Sequence, residues 1–276
     1  MSLYCAKERP NQPNKRYCAA VCLYFLSPWH GLAFSLAFFY PQPTSLNATM
    51  MPADTQPISP PLTVEIWSDV LCPFCYIGKR QFEAALAQYA GRDKVKVTWR
   101  SFQLDPDLPT DSSKTLIQSL SERKGWSEAH ARQATDYVTE MAREVGLLYR
   151  LDRCVVANSF DAHRLIQLGQ AYGKASAVKE RLFAAYFTEG RNIADPAVLL
   201  DIGITAGLEP EKVQQMLASS AYADAVREDI ALAHRFGVKG VPFFLFNRRQ
   251  AVSGAQGTAV FVRLLLQAAE QQNAQH

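Results

Sequence analysis

From residue 62 onward, apolar and polar positions alternate between two periods. Leu62–Trp67 (LTVEIW) alternates and is rich in β-branched and aromatic residues, which predicts a strand. Ser68-Asp69-Val70-Leu71 turns the chain out of it. From Pro73 to Tyr89, Phe74, Ile77, Phe82, Leu86 and Tyr89 recur at helical spacing, with Gly91 as the predicted stop. Val95–Phe102 (VKVTWRSF) alternates again and predicts a second strand. Strand, helix and strand within about 40 residues make a unit whose two strands run parallel.

A loop with two prolines, Asp105–Ser113, follows. Residues 114–236 then read as helical in several pieces. Ser127–Val145 has Ser127 as N-cap, Ser159–Tyr172 is ended by Gly173, and Ala175–Phe187 is ended by Gly190. Pro196–Ala206 and Pro210–Leu217 each carry proline in the first turn, and Ala221–Phe236 ends at Gly237. Pro242–Asn247 (PFFLFN) returns to strand character. Asn247–Gln250 is a turn, Ala251–Ser253 a short strand and Thr258–Ala269 the last helix. The predicted order is β-α-β, a helical block, then β-β-α, an α/β fold without internal repeats.

Composition is that of a globular chain, 48% hydrophobic and 20% charged, able to build a core without a disulfide framework. The net charge of +3 sits in residues 1–49, which hold Lys7, Arg9, Lys15 and Arg16 against Glu8. Residues 50–276 carry 25 charges of each sign, so this part has no electrostatic bias toward nucleic acid or anionic membrane. Three of the six cysteines, Cys5, Cys18 and Cys22, also lie in the N-terminal segment. Cys72, Cys75 and Cys154 in the remainder are too few for a secreted disulfide scaffold and suit a reducing compartment, hence a cytoplasmic expectation.

The N-terminal extension, 1–60, admits three readings. Residues 17–40 are apolar after a basic stretch, as in a signal peptide or membrane anchor, which would make the protein exported or membrane-associated. Pro28-Trp29-His30 interrupts this run and leaves each side shorter than the roughly 20 residues of a spanning helix. Translation from Met50 or Met51 is the second reading, and a disordered cytosolic tail the third.

The chemistry centres on Cys72-Pro73-Phe74-Cys75, after a strand and opening a helix. Positions i and i+3 share a helix side, so Cys72 falls at the helix start and Cys75 within the first turn. Pro73 at the first helical position loses no needed N–H. Free backbone N–H groups and the positive end of the helix dipole then favour the Cys72 thiolate, which predicts a lowered pKa. Cys72 would attack a disulfide and Cys75 would resolve the mixed disulfide. A zinc site would need two more ligands, and His130, His163, His234 and Cys154 are scattered, so no metal is expected. A second feature is Gly240-Val241-Pro242 before the PFFLFN strand: a cis Val241–Pro242 bond would expose the Val241 backbone to an extended substrate, whereas the alternative is a proline that ends a loop.

Four separated stretches, IWSDVLCPFCYIGK (66–79), ANSFDAHRL (157–165), LFAAYFTEGRNI (182–193) and GVKGVPFFLFNRRQAVSGAQ (237–256), together resemble the FrnE-like branch of the DsbA family. The resemblance implies a thioredoxin-like domain over 62–108 and 238–270 with an inserted all-helical domain at 112–236. It implies oxidoreductase activity, with Cys72 as nucleophile, Cys75 as resolving thiol and Val241–Pro242 as the cis-proline loop that binds substrate. Trp67 and Asp69 are expected to approach from the strand end. The implied partner is a disulfide- or dithiol-containing protein or a small thiol, with no cofactor beyond glutathione as redox co-substrate; a homodimer is left open. The branch is also similar to 2-hydroxychromene-2-carboxylate isomerases and kappa-class glutathione transferases, which typically keep a single serine or cysteine nucleophile and bind glutathione. Both cysteines here favour dithiol chemistry over that alternative and over a non-catalytic binding module.

Other residues carry paired readings. His163 either faces the dithiol and tunes Cys72 or is hydrogen-bonded locally in its helix. Cys154 either exchanges with the pair or is a buried small apolar group. Phe183, Tyr186 and Phe187 read as core, with an apolar substrate platform as the alternative. Lys79 and Arg80 read as the solvated face of their helix. Asp105 stands where many relatives carry asparagine, which weakens an expected ligand contact. Ser253–Gln256 offers a carboxylate the N-terminus of the last helix.

Overall fold

The computed structural model describes residues 60–110 and 114–274, so the readings of the N-terminal extension and residues 111–113 of the predicted loop lie outside the described residues. The elements are β1 (Leu62–Ser68), α1 (Pro73–Gln88), β2 (Val95–Ser101), α2 (Leu116–Lys124), α3 (Glu128–Glu144), α4 (Phe160–Ala171), α5 (Ala175–Ala184), α6 (Pro196–Thr205), α7 (Pro210–Leu217), α8 (Ala223–Arg235), β3 (Phe243–Phe246), β4 (Gln250–Ser253) and α9 (Thr258–Asn273).

The strands form one sheet in the order β2-β1-β3-β4. As the β-α-β unit requires, β1 and β2 are parallel, from Leu62 opposite Val95 to Ser68 opposite Ser101. β3 runs antiparallel to β1 and β4 antiparallel to β3. Asn247 and Arg248, with φ of 47° and 54°, turn the chain between β3 and β4.

Period-2 alternation gives the sheet two different faces. Val64, Ile66, Phe244 and Phe246 belong to the main core, where Phe82 of α1 and Phe261 of α9 pack edge-on or tilted against each other and the β3 phenylalanines at 4.5–6.4 Å between ring centres. Trp67 and Leu245 point the other way, into a smaller cluster with Phe102, Ala233 of α8 and Val238.

Local signals explain most boundaries. Ser127 caps α3 by accepting from the His130 N–H, and Gly190 and Gly237 take the left-handed conformation after their helices. Four details differ from the sequence reading. α2 is a separate helix, opened by a capping box in which Thr115 and Gln118 bond each other's backbone N–H. α1 ends without help from Gly91: Tyr89 is already extended and Gly91 keeps a negative φ. The predicted Ala175–Phe187 helix widens into a π turn at Ala185–Glu189, and α9 runs on to Asn273. Among the described residues, no helix is long and apolar enough to cross a membrane.

Candidate active site

The turn out of β1 delivers the dithiol to the start of α1. The Cys72 N–H donates to the Asp69 carbonyl at 3.2 Å, and Cys72 is the N-cap with extended backbone. Pro73 takes the first helical position, and the Cys75 N–H closes the first turn onto the Cys72 carbonyl at 3.0 Å. Both cysteines are free thiols, Cys72 4% and Cys75 1% exposed, while Phe74 between them is 37% exposed. From the far end of the chain, the Val241–Pro242 peptide is cis, and the Cys72 thiol donates to the Val241 carbonyl at 3.4 Å. Gly78 permits this approach: a Cβ there would lie 3.1 Å from Pro242 Cγ and 3.5 Å from the Phe244 ring.

Asp69 and His163, the expected accessory residues, meet each other. His163 Nε2 lies 3.2 Å from Asp69 Oδ1, both side chains fully buried. The Leu104 N–H donates to Asp69 Oδ2 at 2.7 Å and the Leu71 N–H to Oδ1 at 3.3 Å. Burial works to raise the Asp69 pKa, but His163 and the Leu104 N–H outweigh it and hold the carboxyl below its ordinary value. Among the described contacts, His163 bonds Asp69 and makes no hydrogen bond to either sulfur. Asn158, in the same ANSFDAHRL stretch, holds the loop after β2: its amide donates to the Pro106 and Leu108 carbonyls at 2.8 Å each.

The thiol itself corrects an expectation. The Cys75 backbone N–H does lower the Cys72 pKa, as a helix start should. Its hydrogen bond with Cys75, burial, the charge of Cys75 and that of Asp69 outweigh this pull, so the Cys72 pKa lies well above the ordinary thiol value. In a pair this close, protons leave in steps that belong to both sulfurs.

Several residues take places the sequence did not assign. Trp67 does not approach the dithiol: its Nε1–H donates to the Asp229 carbonyl at 3.0 Å on the α8 side of the sheet. Lys79 is not on a solvated face. It is 2% exposed and paired with Glu83 and Glu180 at 2.6 Å each, while Arg80 pairs with the same two carboxylates. Asp105 is taken up by an ion pair with Arg123. At the α9 terminus the Gly257 N–H donates to Gln81 Oε1 at 3.0 Å, and the Gln256 amide donates to the Ser253 carbonyl at 2.6 Å. Phe183, Tyr186 and Phe187 are buried core residues. Phe183 stacks on Tyr76 at 4.8 Å, and Phe187 on Tyr149 at 4.8 Å, whose hydroxyl donates to the Pro73 carbonyl at 2.7 Å. Cys154 is buried with its thiol donating to the Tyr186 carbonyl at 3.3 Å, and burial, then Asp152, pushes its pKa up to about 12. Among the described residues, no group of three or more His, Cys, Asp or Glu side chains is placed to hold a metal.

Lys179 of α5 is the residue that sequence reasoning missed near the dithiol. It is fully buried, and its ammonium donates to the Ser68 carbonyl at 3.5 Å. The signal was present: Ala175, Val178, Lys179 and Leu182 fall on one helical stripe, and all four are buried.

The model of the DSBA-like thioredoxin domain matches residues 63–266. The chain is 39% identical to the probable DsbA oxidoreductase SCO1869 from Streptomyces coelicolor, with 76% of this chain and 90% of that one covered and a TM-score of 0.72. It is 27% identical to the uncharacterized protein YwbO of Bacillus subtilis (strain 168), over 73% of this chain and 94% of that protein. The cytosolic disulfide reductase DsbM from Pseudomonas aeruginosa shares the fold at 19% identity and a TM-score of 0.56, over 76% of this chain and 99% of that one.

Proposed function

The chain belongs to the DsbA-like thioredoxin-domain family, and from that premise we propose that it is a thiol–disulfide oxidoreductase working through Cys72 and Cys75. One observation carries the reading: two free thiols share the first turn of α1, and the outer one lies 3.4 Å from the carbonyl before Pro242. The Cys72 sulfur attacks a substrate disulfide and expels one half as a thiolate. The Cys75 sulfur then attacks Cys72, breaks the mixed disulfide and expels the other half. Two electrons pass from the dithiol to the substrate, and the two protons of the pair balance the two substrate thiols. An extended substrate displaces the Cys72 thiol from the Val241 carbonyl and takes that acceptor for its own backbone N–H.

The helices between β2 and β3 are read as an insertion that supplies Asn158, His163 and Lys179 to the surroundings of the dithiol. A disulfide-containing protein and glutathione disulfide both fit as substrates of this chemistry, and glutathione, as a thiol, fits the return of the oxidised pair to the dithiol. The low cysteine content after residue 60 supports work in the cytoplasm, in the reducing direction.

Insulin reduction by dithiothreitol tests the assignment. Cys72→Ser is expected to lose all turnover above the uncatalysed rate. Cys75→Ser is expected to accumulate a covalent mixed disulfide, seen by mass, and to turn over poorly. Full activity in Cys72→Ser overturns the reading. A Cys75→Ser variant that isomerises 2-hydroxychromene-2-carboxylate with glutathione as well as wild type replaces it with the isomerase alternative.

A further inference from the structure

The turn that presents Cys72 is held twice by one residue. The Asp69 carbonyl accepts from the Cys72 N–H at 3.2 Å, and Asp69 Oδ1 accepts at 3.3 Å from the N–H of Leu71, the residue before Cys72. The second oxygen, Oδ2, accepts at 2.7 Å from the Leu104 N–H in the loop after β2. His163 Nε2 of α4 lies 3.2 Å from Oδ1, and both side chains are fully buried. A single side chain thus joins the dithiol turn, the β2 loop and α4.

Bracing a turn does not in itself call for a charge, since the one amide oxygen of an asparagine satisfies the Leu71 N–H as well. The second oxygen does call for one. Backbone N–H groups only donate, and here one faces each oxygen, so an asparagine at 69 would set its own amide donor against one of them. A carboxylate accepts from both. His163 Nε2, facing a group that only accepts, then carries the ring proton and donates. Burial works to raise the Asp69 pKa, but His163 and the Leu104 N–H outweigh it, in keeping with an anion. This anion stands in the same turn as Cys72, itself 4% exposed, where water screens it little. The Cys72 thiol donates to an uncharged acceptor, the Val241 carbonyl at 3.4 Å. Its bond with Cys75 and burial lead the causes that raise its pKa, and the charge of Asp69 adds to them.

Resting on the dithiol reading above, we propose that Asp69 is a positioning residue for Cys72: braced as an anion by His163 and two backbone N–H groups, it places the turn that presents the nucleophile and opposes negative charge on its sulfur. The resting site then favours the Cys72 thiol over the thiolate. A reduced pair whose thiolate is stabilised makes a strong oxidant, so withholding that stabilisation suits work in the reducing direction. Further ionisable groups flank the turn: Cys75 of α1, Tyr149 between α3 and α4, Lys179 of α5 and Tyr186 of the π turn. Burial pushes both tyrosine hydroxyls up, so they stay neutral, and Lys179 donates to the Ser68 carbonyl at 3.5 Å. All of these groups stay in place when Asp69 alone is replaced.

The test follows alkylation of Cys72 by iodoacetamide against pH in the full chain, mapped by peptide mass. In Asp69→Asn the midpoint is expected to fall by about one pH unit, a tenfold rise in thiol acidity. A brace that acts through geometry alone would lower stability or slow alkylation at every pH and leave the midpoint in place. An unmoved midpoint in a folded Asp69→Asn protein therefore overturns the proposal. Asp69→Glu disturbs the turn by one methylene but keeps the charge, and is expected to hold the midpoint within about half a unit of wild type, a threefold change. A midpoint that falls as far in Asp69→Glu as in Asp69→Asn overturns the proposal as well. Should Asp69→Asn fail to fold, NMR of the wild-type chain with isotope-labelled aspartate side chains decides. The Asp69 carboxyl signal is expected to shift as Cys72 titrates and to lose that step in Cys72→Ser; an Asp69 signal without the step in wild type overturns the proposal. A lowered midpoint in a protein without insulin-reducing activity refutes only the oxidoreductase reading. Insulin reduction that depends on Cys72, with an unmoved midpoint, refutes only the role of Asp69.

Discussion

Two buried polar networks meet β1, one mid-strand and one at its end, and they are built on opposite terms. Mid-strand, Glu65 accepts from Arg100 at 2.5 and 3.0 Å and from Arg248 at 2.6 and 3.1 Å. Asp229 of α8 accepts from Arg100 at 2.9 Å, the Ser101 N–H at 2.9 Å and Gln167 at 2.6 Å. Both oxygens of each carboxylate have donors, and the charged partners are arginines, which do not change protonation in the physiological range. At the strand end, among the described residues, Lys179 has no carboxylate within ion-pair distance, and Ser68 Oγ and His163 Nδ1 have no hydrogen-bond partner. A saturated network fixes geometry, here tying α8 to β2. An unsaturated one leaves polar groups free to take other partners. The first is architecture, with Arg248 57% exposed at its rim, whereas Asp69, His163 and Lys179 of the second are fully buried.

The sharpest way to break that comparison is Asp229→Ala. It leaves Arg100 with Glu65 alone and takes the acceptor from the Ser101 N–H and one from Gln167, and is expected to cost about 1–3 kcal/mol in urea unfolding. Insulin reduction per folded molecule should stay near wild type. A variant of full stability with altered thiol reactivity would show that the two networks are one.

A smaller effect separates them by pH. Burial raises the Glu65 pKa, but Arg248 and Arg100 outweigh it and hold the group below its ordinary value. A carboxylate lowered in the folded state contributes stability above its unfolded pKa, near 4.5, and loses it as pH falls through the lower folded value. Unfolding free energy should therefore fall below about pH 4.5, and Glu65→Gln should flatten this acid limb by about 1 kcal/mol. Thiol reactivity between pH 6 and 9 should be untouched by that variant. A change in that range would mean that the mid-strand charges reach the dithiol.

What the sequence made legible follows the range of each interaction. The β1-turn-α1 unit, Pro73 at the first helical position and the glycines after α5 and α8 act within a few residues, and their motifs stand in the chain as written. Cys72 and Val241 are far apart in sequence, yet CPFC and GVP each carry a local mark. Asp229 carries none, and Lys179 only its place on the buried stripe of α5. The Ser68 carbonyl lies 111 residues from Lys179 and Arg100 129 from Asp229, and composition rules place lysine on surfaces, which is also why Lys79 read as solvated. Alternation established that Ile66 and Trp67 face opposite ways, but not that the Trp67 side belongs to α8. The lowered Cys72 pKa was a correct local argument, overridden by the neighbouring thiol and by burial.

The smallest predicted effect concerns Cys154, a third thiol that tests whether burial alone accounts for the behaviour of the pair. Its sulfur donates to the Tyr186 carbonyl, and burial, then Asp152, pushes its pKa up to about 12. A thiol so placed has a negligible thiolate fraction at neutral pH and stays unreactive while the fold is intact. Cys72 is as deeply covered, but the leading cause of its raised pKa is Cys75, a partner that substrate exchange or mutation removes, whereas the burial of Cys154 is permanent. Alkylation of the native chain, mapped by peptide mass, should therefore mark Cys72 faster in Cys75→Ser than in wild type, while Cys154 is marked only after unfolding. Cys154→Ala should cost about 1 kcal/mol or less and leave insulin reduction within about twofold of wild type. If Cys154 is alkylated in the folded protein, or if its removal slows turnover tenfold, then burial does not distinguish structural thiols from reacting ones in this molecule, and Cys154 joins the dithiol as a third exchanging sulfur.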